Sequence, residues 1–593
     1  VMIEFGGLLR RRARPNSEEG VALPMVIGTG MIMLLLVTTA LSTSVSGLVK
    51  ASGDQNWNAA GSAAYAGVEE YESRLANDNA YMIYGNGAAP FSSTSTLSLP
   101  TGTLTNPAFG IGQSGSWASV PGSDGRASYR YEVDTSNYSS SGILRIRSTG
   151  RVGNATRTVV ANLKQQGFID FLYFTDYEIA DPDQNGDDVA TCEKYAWEGR
   201  PLPNPPYSQC SDIAFGNGDV INGPMHSNDT IRACDATFNG IVTTSNNPAS
   251  GLRYLKRDSN GYSCSGQVFT KGNPTYSPKV GMPQTNSEMK NETRSDLPIS
   301  VVAVPGCLYT GPTSITLTNN GKMTVRSPWS IKTNVSGDPA TSGTTPAVCG
   351  TPGNVTNGLG SSSGATIPVL DRNLIFVQNV PTTAGDPNRR PTSGSGSLPD
   401  GYSSSTCGAG NGIGFPTTNE YVASIASSYG CRNGDIFVKG ALSGAMTLAA
   451  ENYVYVTGDI TYTTPLDDVL GLVGQNAVWV WNPVRYSSGS YSSLLSNNRT
   501  INAAILSVAH TFQVQNYDRG GGQGTLTVNG AISQKFRGIV RSGSNGYTKA
   551  YSYDARFRYI APPKFLSPVS TTYGVNVIVD VKPAFTAAGA SIP

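Results

Sequence analysis

With only 14% of its 593 residues charged and a formal net charge of +1, the chain has no field to gather nucleic acid or an anionic lipid surface. Gly, Ser, Thr and Asn are abundant and helical periodicity is confined to the N-terminal region, so the bulk reads as short strands and turns. The length suggests about four domains at roughly 150 residues each, unless the chain grows by stacking turns as solenoids do.

Residues 1–20 form a basic leader with Arg10, Arg11, Arg12 and Arg14, and its charges stop at Glu19. From Val21 to Val49 there is no charged residue. A helix over residues 21–49 is about 43 Å long, more than the ~30 Å hydrocarbon core of a bilayer. A cleavable secretory core is shorter and ends in an A-x-A-like site, which Ala40-Leu41-Ser42 matches poorly. The arginines place the N-terminus in the cytoplasm and everything beyond residue 50 outside. Residues 50–84 extend the helix. Trp57, Ala60, Ala64, Gly67, Val68, Tyr71 and Leu75 recur at three- and four-residue steps, with Glu69, Glu70 and Glu72 towards water.

Gly20 followed by "VALPMVIGTGMIMLLLVTTALSTSV" resembles the prepilin junction. It is most similar to the PilX-like minor pilins and pilus-assembly proteins, whose leaders read "GAAL" or "GVAL". The "AAGSAAYAGVEEY" block is similar to their alanine-rich segment. The resemblance implies cleavage after Gly20 on the cytoplasmic side, with Val21 as the mature N-terminus. The fifth mature position, acidic in major pilins, is Met25 here and follows Pro24, so ready polymerisation is not implied. Gly28 and Gly30 each weaken the helix by about 1 kcal/mol relative to Ala, which suits either unwinding or close packing against a neighbouring helix.

Residues 85–165 read as a small antiparallel β domain. In "GILRIRSTGRV", Leu144 and Ile146 fall on one face and Arg145 and Arg147 on the other. From residue 166 to 593, short runs are punctuated by Gly-Asp and Asn-Gly steps. They suit a large parallel β-helix-like solenoid, with a β-sandwich as the alternative. "YFTDYE", "GDVINGPMHSND" and the basic, aromatic C-terminal stretch resemble exported actinobacterial-type proteins with PilX-like N-termini, which implies kinship without a chemistry. The expected fold is therefore mainly β, with an N-terminal transmembrane and amphipathic helix, a small antiparallel sheet and a solenoid.

Cys192, Cys210, Cys234, Cys264, Cys307, Cys349, Cys407 and Cys431 all lie beyond the apolar segment. With no CxxC pair or Cys/His cluster, they read as disulfides in an oxidising compartment, and neighbour-to-neighbour pairing is the simplest of the available connectivities. Asp181, Asp183, Asn185, Gly186 and Asp187 match the start of a calcium loop. The match fails where Cys192 replaces the bidentate glutamate. Asp181, Asp183, Asn185 and Asp187 are candidate weak Ca²⁺ ligands, with a polar turn as the plain alternative. His226 and His510 are the only histidines and read as hydrogen-bonded structural residues.

The expected function is non-enzymatic. The chain reads as a single-pass membrane protein that displays a β-rich extracellular domain as a minor or tip component of a type IV pilus-like system. Its expected partners are the membrane, other pilin-like subunits, the assembly machinery and surface glycans. The alternative is an anchored β-helix protein that binds or cleaves polysaccharide.

Overall fold

The computed structural model describes residues 22–77, 81, 84, 91, 106, 108, 117–136, 143–165, 167–201, 210–299, 301–422, 429–495, 498–558, 560–568 and 573–592. The chain forms two compact units. One comprises Val1–Ser136, Leu144–Leu163 and Val577–Pro593, and the other Asn137–Ile143 and Lys164–Asn576.

The first unit is built on one helix, α1 (Ala22–Asn77). Its only proline is Pro24, in the first turn, where a missing N–H costs no intrahelical bond. The second half of α1 packs on an antiparallel sheet of β1 (Ala118–Ser119), β2 (Ala127–Asp134), β3 (Ile143–Val152) and β4 (Ala155–Gln165). The fifth strand, beside β4, is Tyr573–Val581 from the far end of the sequence. The second unit is thus an insertion between two neighbouring strands of one sheet.

Ala60, Ala64, Val68, Tyr71 and Leu75 are buried, as their spacing predicts, and Ala63 is buried beside them. Small residues let helix and sheet meet at backbone distance. A Cβ on Gly150 of β3 would stand 2.1 Å from the Ala60 carbonyl oxygen and 2.3 Å from the Ala64 nitrogen. Trp57 departs from the expected stripe, since it is 49% exposed and lies under the Arg157 guanidinium. The face of β3 that carries Arg145 and Arg147 has partners in the same unit. Arg147 pairs with the buried Glu132, and Arg145 and Arg147 both lie over the Phe91 ring.

The second unit is a large mixed sheet in which most pairings are parallel. One parallel ladder aligns Cys307, Ile375, Leu448, Leu472, Ile505, Ile532, Tyr173, Met225 and Val242 in a single row. A second row runs Ile315, Val438, Val456, Val480 and Val514. Both rows are buried in the same core. Apolar residues in register thus cover one another from strand to strand, which is how short strands of low individual stability build one interior.

The order of that ladder differs from the order of the sequence. The chain starts at Tyr173–Tyr177 in the middle of the stack and builds outward through Met225–Ser227, Val242–Thr244 and Thr275–Tyr276. It resumes at the other end with Cys307–Thr310 and works back, until Gly522–Phe536 closes on Tyr173–Tyr177. The antiparallel exceptions in this sheet, among the described residues, are Thr313–Thr318 with Lys322–Arg326, the latter with Ala365–Pro368, and Arg541–Ser542 with Asn545–Tyr553.

The eight cysteines form four disulfides between sequence neighbours: Cys192–Cys210, Cys234–Cys264, Cys307–Cys349 and Cys407–Cys431. Cys307–Cys349 and Cys234–Cys264 close loops that include strands of the stack itself, and every bridge limits the freedom of the unfolded chain.

Candidate functional site: the exposed half of the N-terminal helix

α1 changes character along its length. Leu23, Met25, Ile27, Met31, Leu34 and Leu48 are each more than half exposed, although all are strongly apolar. Among the described residues this is the one helix long and apolar enough to cross a membrane. From Ala60 to Leu75 the same helix is held against the sheet.

Two details make the exposed half suited to an apolar surrounding. The hydroxyls of Thr29, Thr38, Thr39 and Thr43 each donate to the carbonyl four residues back, at 2.8, 2.8, 2.6 and 3.0 Å. Their polar groups are satisfied within the helix, which lipid requires because it offers no partner. Gly28, Gly30, Gly47 and Gly53 have nothing within 4 Å of where a Cβ would stand, whereas Gly61, Gly67 and Gly150 abut neighbouring atoms. Packing inside this chain accounts for the second group and not for the first.

The packed half is fixed to the sheet by a polar cluster near its C-terminal end. Tyr131 donates its hydroxyl to Glu70 at 2.7 Å, Asn106 donates to Tyr131 at 2.6 Å, and Glu70 also pairs with Arg74. Burial pushes the Tyr131 phenol well above its ordinary range. Glu70 therefore serves this anchor rather than simply facing water. Gly20 and Val21, the expected processing site, lie outside the described residues.

The other sequence candidates have structural surroundings. Asp181 caps the short helix Pro182–Asn185, with Oδ1 accepting from the Asp183 amide at 3.1 Å and Oδ2 2.7 Å from His510 Nδ1. Asp183 and Asn185 are exposed and Asp187 is half-buried. Among the described residues no group of three or more His, Cys, Asp or Glu side chains is arranged to hold a metal ion.

His226 is fully buried and packs against both the Phe171 and Phe174 rings, which also touch each other. Its partner Asn228 accepts at Oδ1 from the Val280 amide and donates from Nδ2 to Asp176, which fixes the amide orientation. His226 Nε2 therefore donates to Asn228 at 3.0 Å and Nδ1 accepts from Thr243 at 2.9 Å. Close by, Asp212 takes both Arg200, at 3.0 Å, and Arg232, while Asp229 takes Arg200 and the amides of Glu178, Ala196 and Thr230.

The basic C-terminal stretch is also absorbed. Arg537 pairs with Glu178 at 3.1 Å and lies over Phe215, Lys549 pairs with Asp219 at 2.9 Å, and Arg556 pairs with Asp554. Tyr547 and Tyr551 are buried in the core. Tyr559 lies outside the described residues.

No family model matches the chain, and no curated protein does. Among solved structures, the competence-associated pilin ComZ from Thermus thermophilus is similar, with 11% sequence identity and a TM-score of 0.21, over 89% of this chain and 98% of that one.

Proposed function

We propose that the chain is a membrane-inserted, non-enzymatic component of a type IV pilus-like assembly, with its β-rich insertion displayed outside the cell. The observation that carries this reading is the division of α1. Its first half keeps its apolar side chains open along the helix, while its second half is buried on an antiparallel sheet. Such a helix needs a bilayer, a bundle of like helices, or each in turn, to cover the side chains that the fold leaves out.

In this reading the PilX-like junction is cleaved after Gly20, and the arginine-rich leader stays on the cytoplasmic side. The four disulfides suit an oxidising exterior. The inserted unit is a parallel β-helix-like solenoid, supported by its registered inward rows. Its size relative to the small sheet suits a minor or tip subunit rather than a repeating one. The expected partners are membrane lipid, other subunits with apolar N-terminal helices, and the machinery that assembles them.

A photo-crosslinking side chain at Leu34, activated in native membranes, tests the assembly reading. Cross-links to a second protein with an apolar N-terminal helix are expected. Cross-links to lipid alone would reduce the helix to a simple anchor.

A further inference from the structure

Val484–Ser487 and Ser490–Ser493 leave the stacked strands as a two-stranded antiparallel hairpin of their own. Ser488 and Gly489 both have positive φ, 53° and 79°, the conformation of a tight two-residue hairpin turn. Tyr486 and Tyr491 are directly opposite each other in the register, with ring centroids 4.8 Å apart. Tyr421 joins them at 6.1 Å from Tyr486 and 5.1 Å from Tyr491. The Arg519 guanidinium lies 4.7 Å from the Tyr491 centroid and 5.8 Å from that of Tyr421. It is held there by Asp518 through two hydrogen bonds of 2.9 and 2.8 Å.

An isolated hairpin is marginal in water, so some of this contact serves to hold it. That role does not account for Tyr486, which keeps 53% of its surface exposed. Its open face is apolar area with a polar tip, available to a ligand. The segment "RYSSGSY" offers rigid aromatic area among adaptable hydroxyls, with arginine beside it, which is the composition of binding loops.

Charge selects the occupant. Asp518 neutralises Arg519 at the ring cluster, so the patch holds no net charge for an anionic polymer. Aromatic faces beside a planar carboxylate–guanidinium pair match a sugar ring. Its C–H face lies on the aromatic ring, and its adjacent hydroxyls reach the planar polar groups. We propose that Tyr421, Tyr486, Tyr491 and the Asp518–Arg519 pair form a binding platform for a neutral glycan. The platform stands independently of the assembly reading, since it needs neither the helix nor a second subunit.

The test uses the full chain in a zwitterionic detergent free of glycoside. Binding is measured to dextran, mannan and laminarin, with alginate and duplex DNA alongside. At least one of the neutral polysaccharides is expected to bind. Tyr486→Ala and Tyr491→Ala are each expected to weaken that binding roughly tenfold, the size of one lost aromatic contact. Arg485→Ala, on the opposite face of the hairpin, is expected to change it less than twofold. Tyr486→Leu keeps apolar bulk at the exposed position and is also expected to weaken binding, which separates a lost platform from a lost hairpin. Failure of all three neutral polysaccharides to bind overturns the proposal. So does wild-type binding by the Tyr486→Leu variant, and so does binding confined to alginate or DNA.

Discussion

His226 and Asp435 are two fully buried titratable groups that pull stability in opposite directions over nearly the same pH range. Burial holds His226 at about 4, well below its ordinary 6.5. The unfolded chain therefore takes up that proton first as pH falls. His226 contributes stability that is complete above about pH 6.5 and lost as pH drops towards 4, on the order of 3 kcal/mol. Asp435 is pushed up by burial from 3.8 to about 7, so its contribution falls as pH rises through that window. Measured against wild type, Asp435→Asn should make denaturant stability rise more steeply between pH 4 and 7, and His226→Gln should make it rise less. Parallel curves for the three proteins would contradict both assignments.

The Asp212 cluster is a second test at this scale. Burial raises the Asp212 carboxyl although Arg200 and Arg232 oppose the shift. Asp212→Ala leaves two buried guanidinium groups without that partner and should cost about 3–5 kcal/mol in chemical denaturation. A loss under 1 kcal/mol would show that water reaches these groups.

At the scale of elements, the glycines of α1 and β3 divide into two kinds with opposite expected effects. Gly150→Ala forces a methyl group into the helix backbone and should destabilise the first unit by about 3 kcal/mol or more. Gly28→Ala meets open space within the chain and improves helix propensity by about 1 kcal/mol, so thermal stability in detergent should hold or rise. If a neighbouring helix packs there, as proposed, the same variant should still lose assembly.

Much of α1 was legible in the sequence because its three- and four-residue spacing is a local signal. Ala60, Ala64, Gly67, Val68, Tyr71 and Leu75 are buried as that spacing predicts. Trp57 and Glu70 departed from it because each met a partner that only folding supplies, Arg157 for one and Tyr131 for the other. The backward hydroxyl bonds of Thr29, Thr38, Thr39 and Thr43 also have a local signal, since threonines in a charge-free helix have few other partners. "RYSSGSY" held another, two tyrosines placed symmetrically about a Ser-Gly turn.

For the whole molecule, the turn residues announced short strands but not their order. Ile532 lies beside Tyr173, and the last strand joins β4, pairings hundreds of residues apart that leave no local trace. A reading in chain order places the small sheet within residues 85–165, whereas its fifth strand, Tyr573–Val581, comes from the C-terminal region. "VNVIVDV" carried the alternation of a strand, but nothing in it named a neighbour. The exposed apolar helix is different, because its meaning lies in what the chain does not cover. That helix is where the account is most open to contradiction. N-terminal sequencing of the protein recovered from membranes addresses it directly. A mature chain beginning at Val21 is predicted. An intact arginine-rich leader, or a protein absent from the membrane fraction, would contradict the account.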